Sequence, residues 1–309
     1  MEVTAALTKA KAARLSVVSN SLLVVGKLIA GLSLGSVSVL SEAVHSGIDL
    51  VAALIAYFSV QKASEPADEE HPYGHGKIEN VSGTIEAVLI FGAAFYIIYE
   101  SIHKLQVGGE VEGLGLGSVI MGISAIVNWF ISSRLYKVAK ETDSVALEAD
   151  ALHLRTDVYT SLGVLIGLVA IKLTGLNILD PLFALAVALL IIKAAWDLTK
   201  TSFVQIIDAR LPQEEETLVI NILEKHSGNF VEFHKLRSRK SGAERFIDLH
   251  IVVPRKWPVL DVHQLCDHLE ERIEEALPRA HVLIHIEPCT TGKEKCFGCE
   301  DNCPNRTKS

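Results

Sequence analysis

Long apolar stretches alternate with short polar segments along the first 200 residues of the chain. A helix that crosses a bilayer needs about 20 mainly apolar residues, and six stretches meet this requirement. The clearest is the fourth, which has no charged residue between Glu112 and Arg134. The six predicted membrane helices cover residues 14–34, 37–61, 80–103, 114–134, 146–171 and 178–200.

Beyond residue 208 the period of the pattern changes and charged residues become much denser. Helical spacing alternates there with strand-like alternation, and this order predicts a small α+β domain with one helical layer on a sheet. The predicted elements are helices over 214–226 and 263–277, strands over 246–253 and 281–286, and a short strand near 231–236. We therefore expect a six-helix transmembrane domain (1–208), a cytoplasmic α+β domain (209–290) and a cysteine-rich tail (291–309).

Composition and charge agree with a multi-pass membrane protein. The chain is 49% hydrophobic with a mean hydropathy of +0.32, which is too apolar for an ordinary soluble protein. Basic residues fall in the leader and in the second and fourth loops, so the positive-inside rule predicts that both termini are cytoplasmic. We expect the protein to lie in the inner membrane of the cell. The leader lacks the apolar core of a signal peptide. We expect the lipid bilayer as a partner and no nucleic acid.

Two His-x-x-x-Asp words lie inside predicted membrane helices: His45 with Asp49, and His153 with Asp157. A four-residue spacing puts both side chains of a word on one helix face. Ionisable groups are costly in hydrocarbon and rarely lie there without a function. Two imidazoles and two carboxylates suit a tetrahedral divalent metal such as zinc. The alternative is that these groups only hydrogen-bond neighbouring helices along a polar seam.

A second set of metal-type ligands lies in the loop after the second predicted helix. Asp68, His71 and His75 are spaced so that a folded loop could chelate one ion, with water completing the shell. Nearby glycine and proline residues indicate a turn. The alternative is a solvated acidic loop.

Cys289 and three cysteines of the tail, Cys296, Cys299 and Cys303, have the spacing C-x6-C-x2-C-x3-C-P. Four thiolates so close together could hold one zinc ion or an iron–sulfur cluster. The alternative is a flexible, reactive tail. Cys266 stands alone on a predicted helix, where we expect a packed and inert thiol.

The order of these motifs is distinctive. His45-x3-Asp49 is followed by His-Pro-Tyr-Gly-His-Gly-Lys-Ile-Glu, by His153-x3-Asp157 and by Leu179-Asp180-Pro181. In this order the chain resembles the cation diffusion facilitator family of divalent-metal/proton antiporters. The resemblance implies a homodimer, a transport site between the second and fifth helices, and a metallochaperone-like cytoplasmic domain that binds metal and steadies the dimer.

The resemblance also implies roles for residues outside the membrane words. Lys77 and Asp208 match a pair that interlocks the two domains in family members. Family members with Asp at this position often accept iron and cadmium. This chain differs from them in having His45, and in this respect it is similar to zinc-selective members. A binuclear zinc site is implied at His234, His250, His263, His285 and Glu287, where the family commonly has Asp in place of Glu287.

The expected function is export of a divalent cation, chiefly Zn²⁺, in exchange for protons by alternating access. Zinc would be both cargo and a structural or regulatory ligand. The alternatives are a passive metal channel, a membrane-bound metal sensor, and a carrier mainly for Fe²⁺, Co²⁺ or Cd²⁺. An enzyme is least expected, because no pair of nucleophile and base accompanies the metal words.

Overall fold

The structure, a computed structural model, describes residues 2–34, 37–107, 116–176 and 178–289. The chain divides after Ile206 into two compact units. The first, here called the membrane unit, contains six helices that are long and apolar enough to cross a membrane. The second, here called the C-terminal unit, contains two longer helices and a three-stranded sheet. The predicted fold class is confirmed.

The six helices of the membrane unit follow the six predicted apolar stretches, and most extend beyond them. Apolar residues mark only the length inside hydrocarbon, whereas backbone hydrogen bonding continues into polar flanking residues. The first helix therefore begins well before its apolar part, and the fourth continues past Arg134. The helices are α1 (Glu2–Leu34), α2 (Val37–Ala63), α3 (Lys77–Val107), α4 (Leu116–Thr142), α5 (Val145–Thr174) and α6 (Leu179–Ile206).

Small residues allow these helices to pack closely. The most extensive contacts join α1 with α2, α3 with α6, and α4 with α5. Ala52, Ala53 and Ala56 on α2 are completely buried. Small side chains at helix contacts let backbones approach, which is the main source of packing energy between helices in lipid.

A buried carboxylate ties three helices together. Glu79 on α3 accepts a hydrogen bond of 2.9 Å from Lys9 Nζ on α1 and one of 2.5 Å from Ser144 Oγ. Ser144 is also the N-cap of α5 and accepts from the Leu147 backbone N–H. A Ser N-cap satisfies one of the free N–H groups that begin a helix. The start of α5 is thus fixed against α1 and α3.

The C-terminal unit has one helical layer on one face of its sheet. It runs α7 (Gln213–Lys225), a 3-10 turn (Ser227–Asn229), β1 (Glu232–Ser241), β2 (Glu244–Val253), α8 (Val259–Ala276) and β3 (Ala280–Pro288). Strand β2 is central, antiparallel to β1 and parallel to β3. Its residues Ile247, Leu249 and Ile251 are buried in a core shared with α7 and α8. Because strand side chains alternate, His250 points to the opposite face.

Strand β1 is longer than the predicted 231–236, since it continues to Ser241. Its second half is rich in Lys and Arg, which conceals the strand pattern in the sequence but is typical of an edge strand. A bulge interrupts the pairing between His234 and Arg237, and Lys235 within it has a φ of 52°. The bulge shifts the register of the strand once.

Cys266 on α8 is buried and forms no disulfide. Burial raises the pKa of its thiol to about 11, with a further contribution from the carboxylates of Glu270 and Asp267. A thiol with so high a pKa has little thiolate at neutral pH, which is the reactive form. This agrees with the expectation of a packed, inert cysteine.

The close approach of α3 and α6 gives a stability prediction. A Cβ at Gly83 would lie 2.5 Å from Ser202 Oγ and 3.0 Å from a Val145 methyl group. Overpacking costs about 1–3 kcal/mol, which exceeds the gain of about 0.5–1 kcal/mol from removing a helical glycine. We expect Gly83→Ala to lower the thermal unfolding temperature in detergent.

Gly92→Ala is the matched control on the same helix, because nothing lies within 4 Å of its added Cβ. The double variant Gly83→Ala/Ser202→Ala should recover part of the loss, since it removes the closest atom. A Gly83→Ala protein as stable as Gly92→Ala would contradict the packing described here.

Candidate metal centres

The two predicted membrane words meet between α2 and α5. Each histidine contacts the aspartate of the other word: His153 Nε2 lies 3.3 Å from Asp49 Oδ1, and His45 Nε2 lies 3.5 Å from Asp157 Oδ1. Ligand atoms of His45, Asp49 and Asp157 lie within 4.8 Å of one another. We call these four residues the membrane centre. The sequence pattern identified its members, and the structure pairs them across the two helices.

Each His–Asp pair in the membrane centre has the spacing of two ligands on one small ion, and His45, Asp49 and Asp157 form the compact part of the centre. Ligands about 2.0–2.2 Å from a tetrahedral zinc ion are themselves about 3.3–3.6 Å apart, which is the separation of the two His–Asp pairs. Asp49 and His153 are buried, while the His45 side chain is 53% exposed. The centre is therefore enclosed on one side and accessible at His45.

Asn128 on α4 belongs to the surroundings of this centre, and the sequence analysis did not find it. Its Nδ2 donates a 3.4 Å hydrogen bond to Asp157 Oδ2, and Oδ1 of the same carboxylate lies 3.5 Å from His45 Nε2. This contact orients the carboxylate, as outer-shell groups do around metal ligands. A lone amide in the uncharged part of α4, before Arg134, was the available signal.

The loop after α2 brings Asp68, His71 and His75 together, with ligand atoms within 4.8 Å of one another. Asp68 Oδ1 accepts a 2.6 Å hydrogen bond from the His71 backbone N–H, and its Oδ2 lies 3.4 Å from His75 Nε2. That backbone bond lowers the pKa of Asp68, and the nearby imidazoles lower it further. Gly74, with a φ of 77°, turns the chain between the two histidines. These three residues are the loop centre.

The open face of the sheet in the C-terminal unit carries a third group, His234, His250 and Glu287, here called the sheet centre. His234, His250 and His285 lie side by side across the three strands. Glu287 contacts two of them, with Oε1 2.8 Å from His250 Nδ1 and Oε2 3.4 Å from His234 Nε2. The hydrogen bond from His250 lowers the pKa of Glu287. The extra methylene relative to Asp lets one carboxylate reach between two imidazoles.

Two further predicted ligands stand apart from that contact. The centre of the His285 ring lies 4.5 Å from that of His250. Among the described residues of this region, however, the group whose ligand atoms all lie within 4.8 Å of one another is His234, His250 and Glu287, without His285. His263 lies on α8, in the helical layer, and contacts Asp267 at 3.3 Å. Within one protomer the fold does not bring His263 to the sheet centre.

The predicted interlock residues each have contacts inside their own unit. Lys77 Nζ donates to the Ile206 backbone carbonyl at 3.2 Å, and Asp208 forms an ion pair with Arg239 at 3.3 Å. Their pairing with each other stays a prediction.

Cys289 is buried and its N–H donates to the Val253 carbonyl. Cys296, Cys299 and Cys303 lie outside the described residues.

Comparisons with known proteins cover nearly the whole chain. The family model described as the cation efflux transmembrane domain matches residues 13–207. A second, described as the cation efflux protein cytoplasmic domain, matches residues 211–289.

Relatives over most of the chain are named as transporters. A protein from Yersinia enterocolitica named cation-efflux pump FieF is 33% identical over 92% of this chain and 94% of its own length. An uncharacterised transporter from Synechocystis is 34% identical over 82% of each chain. A solved structure of the putative zinc transporter CzrB is 36% identical over 26% of this chain and 99% of that chain, with a TM-score of 0.25. The two family models and the relatives from Yersinia enterocolitica and Synechocystis establish that the chain belongs to the cation diffusion facilitator family of cation efflux transporters.

Proposed function

We propose that this protein exports Zn²⁺ from the cytoplasm in exchange for protons. The observation that carries the proposal is the reciprocal contact of two histidines with two aspartates in the membrane centre. The ring nitrogens that contact a carboxylate are also the atoms that would bind zinc. Metal and proton therefore compete for one set of groups.

Histidine is suited to this exchange because its unperturbed pKa of about 6.5 lies near the working pH. When the membrane centre opens to the cytoplasm, Zn²⁺ displaces protons from His45 and His153 and binds Asp49 and Asp157. Metal binding to such ligands is inherently linked to proton release. On the other side, protons compete for the same groups and release the ion.

Alternating access would move helix groups around this fixed centre. The ligands are concentrated at one point between α2 and α5, which favours a carrier. A channel would use weaker and more numerous sites along a pore. A sensor without transport would not need all four membrane ligands.

The other two centres are assigned to the cytoplasmic side of an inner membrane, with both termini on that side. There the sheet centre binds zinc and steadies a homodimer. His263 is assigned to the dimer, where it would reach the sheet centre of the second protomer. The loop centre would bind zinc with water completing its shell. Lys77 and Asp208 would interlock the two units during the transport cycle.

The tail is assigned a role apart from transport. Cys289, Cys296, Cys299 and Cys303 would close round one zinc ion, and an iron–sulfur cluster is the alternative occupant. Zinc is preferred because the spacing lacks the first gap of the ferredoxin motif, and because zinc is the proposed cargo.

The decisive experiment is metal uptake into reconstituted vesicles with an imposed pH gradient. Zn²⁺, Co²⁺, Cd²⁺, Fe²⁺ and Ni²⁺ would be compared side by side, because their ligand preferences overlap. We expect zinc flux that depends on the gradient and is accompanied by proton movement. Flux that ignores the gradient would indicate a channel, and absence of flux would indicate a sensor.

Removal of one charge from the membrane centre should nearly abolish transport. Asp49→Asn keeps the size of the side chain but removes an anionic ligand and leaves His153 without its carboxylate. Truncating one partner of a buried charge pair costs about 2–5 kcal/mol of binding free energy, so zinc binding at this centre should weaken by at least about tenfold. Zinc flux into vesicles measures the effect. Asp197→Asn on α6, an exposed position outside the membrane centre, is the control, and near-normal flux in Asp49→Asn would exclude the proposed site.

The identity of the residue at position 45 should set metal selectivity. His45→Asp replaces a nitrogen ligand by a harder carboxylate, which permits larger coordination numbers. We expect cadmium or manganese transport to rise relative to zinc in competition assays. His103→Asp changes an exposed histidine that stacks on Tyr99 of α3 and should leave the ratio unchanged. Equal ratios in both variants would place selectivity elsewhere.

Zinc at low concentration should stabilise the C-terminal unit within the full-length protein and tighten its dimer. A ligand at a hundredfold excess over its dissociation constant stabilises the folded state by about 2.7 kcal/mol. We expect zinc to raise the unfolding temperature of the wild type and to shift its sedimentation toward the dimer. His250→Gln should lose both effects, and His281→Gln, outside the sheet centre, should keep them. If zinc changes neither quantity in the wild type, the sheet centre is not a zinc site.

A further inference from the structure

A pair of histidines on the helical layer of the C-terminal unit lies outside all three centres. His226 caps the C-terminal end of α7, and His268 lies on α8. Their Nε2 atoms face each other at 3.3 Å, and their ring planes are inclined by 70°. His268 is exposed and His226 is half-buried, so the space between the rings is accessible to solvent.

The tautomer of His226 is fixed by the backbone. Its Nδ1 lies 2.8 Å from the Ile222 carbonyl oxygen, and a carbonyl can only accept, so Nδ1 carries the hydrogen. The neutral ring then presents a lone pair at Nε2, toward His268. A histidine that binds metal through one ring nitrogen commonly donates the other N–H to a carbonyl or carboxylate in this way.

The separation of the two nitrogens matches a shared metal ion. Two imidazoles about 2.0–2.1 Å from a tetrahedral zinc ion have nitrogens about 3.3–3.4 Å apart. The observed 3.3 Å is the distance expected for two ligands of one ion.

The dipole of α7 favours a cation at its C-terminal end. Helix α7 has 13 residues, and the partial negative charge at its C-terminal end falls at His226. The 3-10 turn Ser227–Asn229 follows directly and holds this end in place, with the Asn229 N–H donating to the His226 carbonyl.

We propose that His226 and His268 form a further divalent-metal site, here called the helix site, which clamps the end of α7 to α8. Two imidazoles select borderline metals such as Zn²⁺, Co²⁺, Ni²⁺ and Cu²⁺ over Mg²⁺ or Ca²⁺. Water completes the shell. With only two protein ligands, the helix site fills at higher metal concentration than the three-residue sheet centre.

The helix site and the sheet centre are separate. The sheet lies between them, because Ile247, Leu249 and Ile251 face the helices while His250 faces the other way. Helix α7 follows the end of α6 after a short connection. An ion in the helix site therefore orders the first element of the C-terminal unit, which is a different effect from an ion on the open sheet face.

Histidine footprinting on the full-length protein tests the helix site directly. Diethyl pyrocarbonate modifies accessible imidazoles, and peptide mass spectrometry reads each histidine separately. As Zn²⁺ is titrated, protection of His234 and His250 should appear first and protection of His226 and His268 second. Mg²⁺ should protect neither pair. His281, which contacts Glu244 and stacks on Phe246, is the internal control and should react equally throughout.

Equilibrium dialysis supplies the second measurement. At zinc concentrations that protect His226 and His268, the His226→Gln and His268→Gln variants should each bind one zinc ion fewer per chain than the wild type. His281→Gln should bind the wild-type number. Protection of His234 and His250 without any protection of His226 and His268, or equal zinc content in all variants, overturns the helix site. Neither result bears on transport through the membrane centre.

Discussion

The structure of the membrane unit depends on the cost of placing a carboxylate among apolar helices. An ionised side chain at the centre of a bilayer costs about 2.5–3.5 kcal/mol even on the most lenient scale. Asp49, Asp157 and Glu79 each contact a lysine or an imidazole on a different helix, which offsets part of this cost. These contacts therefore join α2 to α5 and α3 to α1, while small residues determine how closely helices approach.

In the C-terminal unit, the alternation of side chains along strand β2 positions both the apolar core and the sheet centre. On β2, one set of alternate residues forms the apolar core with the helices, and the other set places His250 between His234 and His285. A shift in register by one residue would bury the histidines and expose the core. The same alternation that stabilises the domain thus builds the sheet centre, and the bulge after His234 changes the register only beyond it.

Much of this arrangement could be predicted from the sequence. The apolar stretches gave the number of membrane helices, and the four-residue spacing placed His45 near Asp49 on one face. The spacing could not indicate that His45 contacts Asp157 instead, because that contact depends on how α2 and α5 lie against each other. The length of β1 was underestimated because its Lys and Arg residues obscure the alternation. Asn128, and the contact of His226 with His268, escaped notice because their partners are distant in sequence and meet only through tertiary packing.

The crossed contacts of the membrane centre have a consequence for the energy of a transport cycle. In the proposed exchange, two protonated imidazoles and two carboxylates have a total charge of zero. Two neutral imidazoles, two carboxylates and one Zn²⁺ ion also have a total charge of zero. Because the side chains within each His–Asp pair already lie at the separation of zinc ligands, the proposed exchange of cargo for protons would require little rearrangement within a pair. The loaded and returning forms would then carry the same charge across the bilayer, so a membrane voltage would favour neither direction of the conformational step.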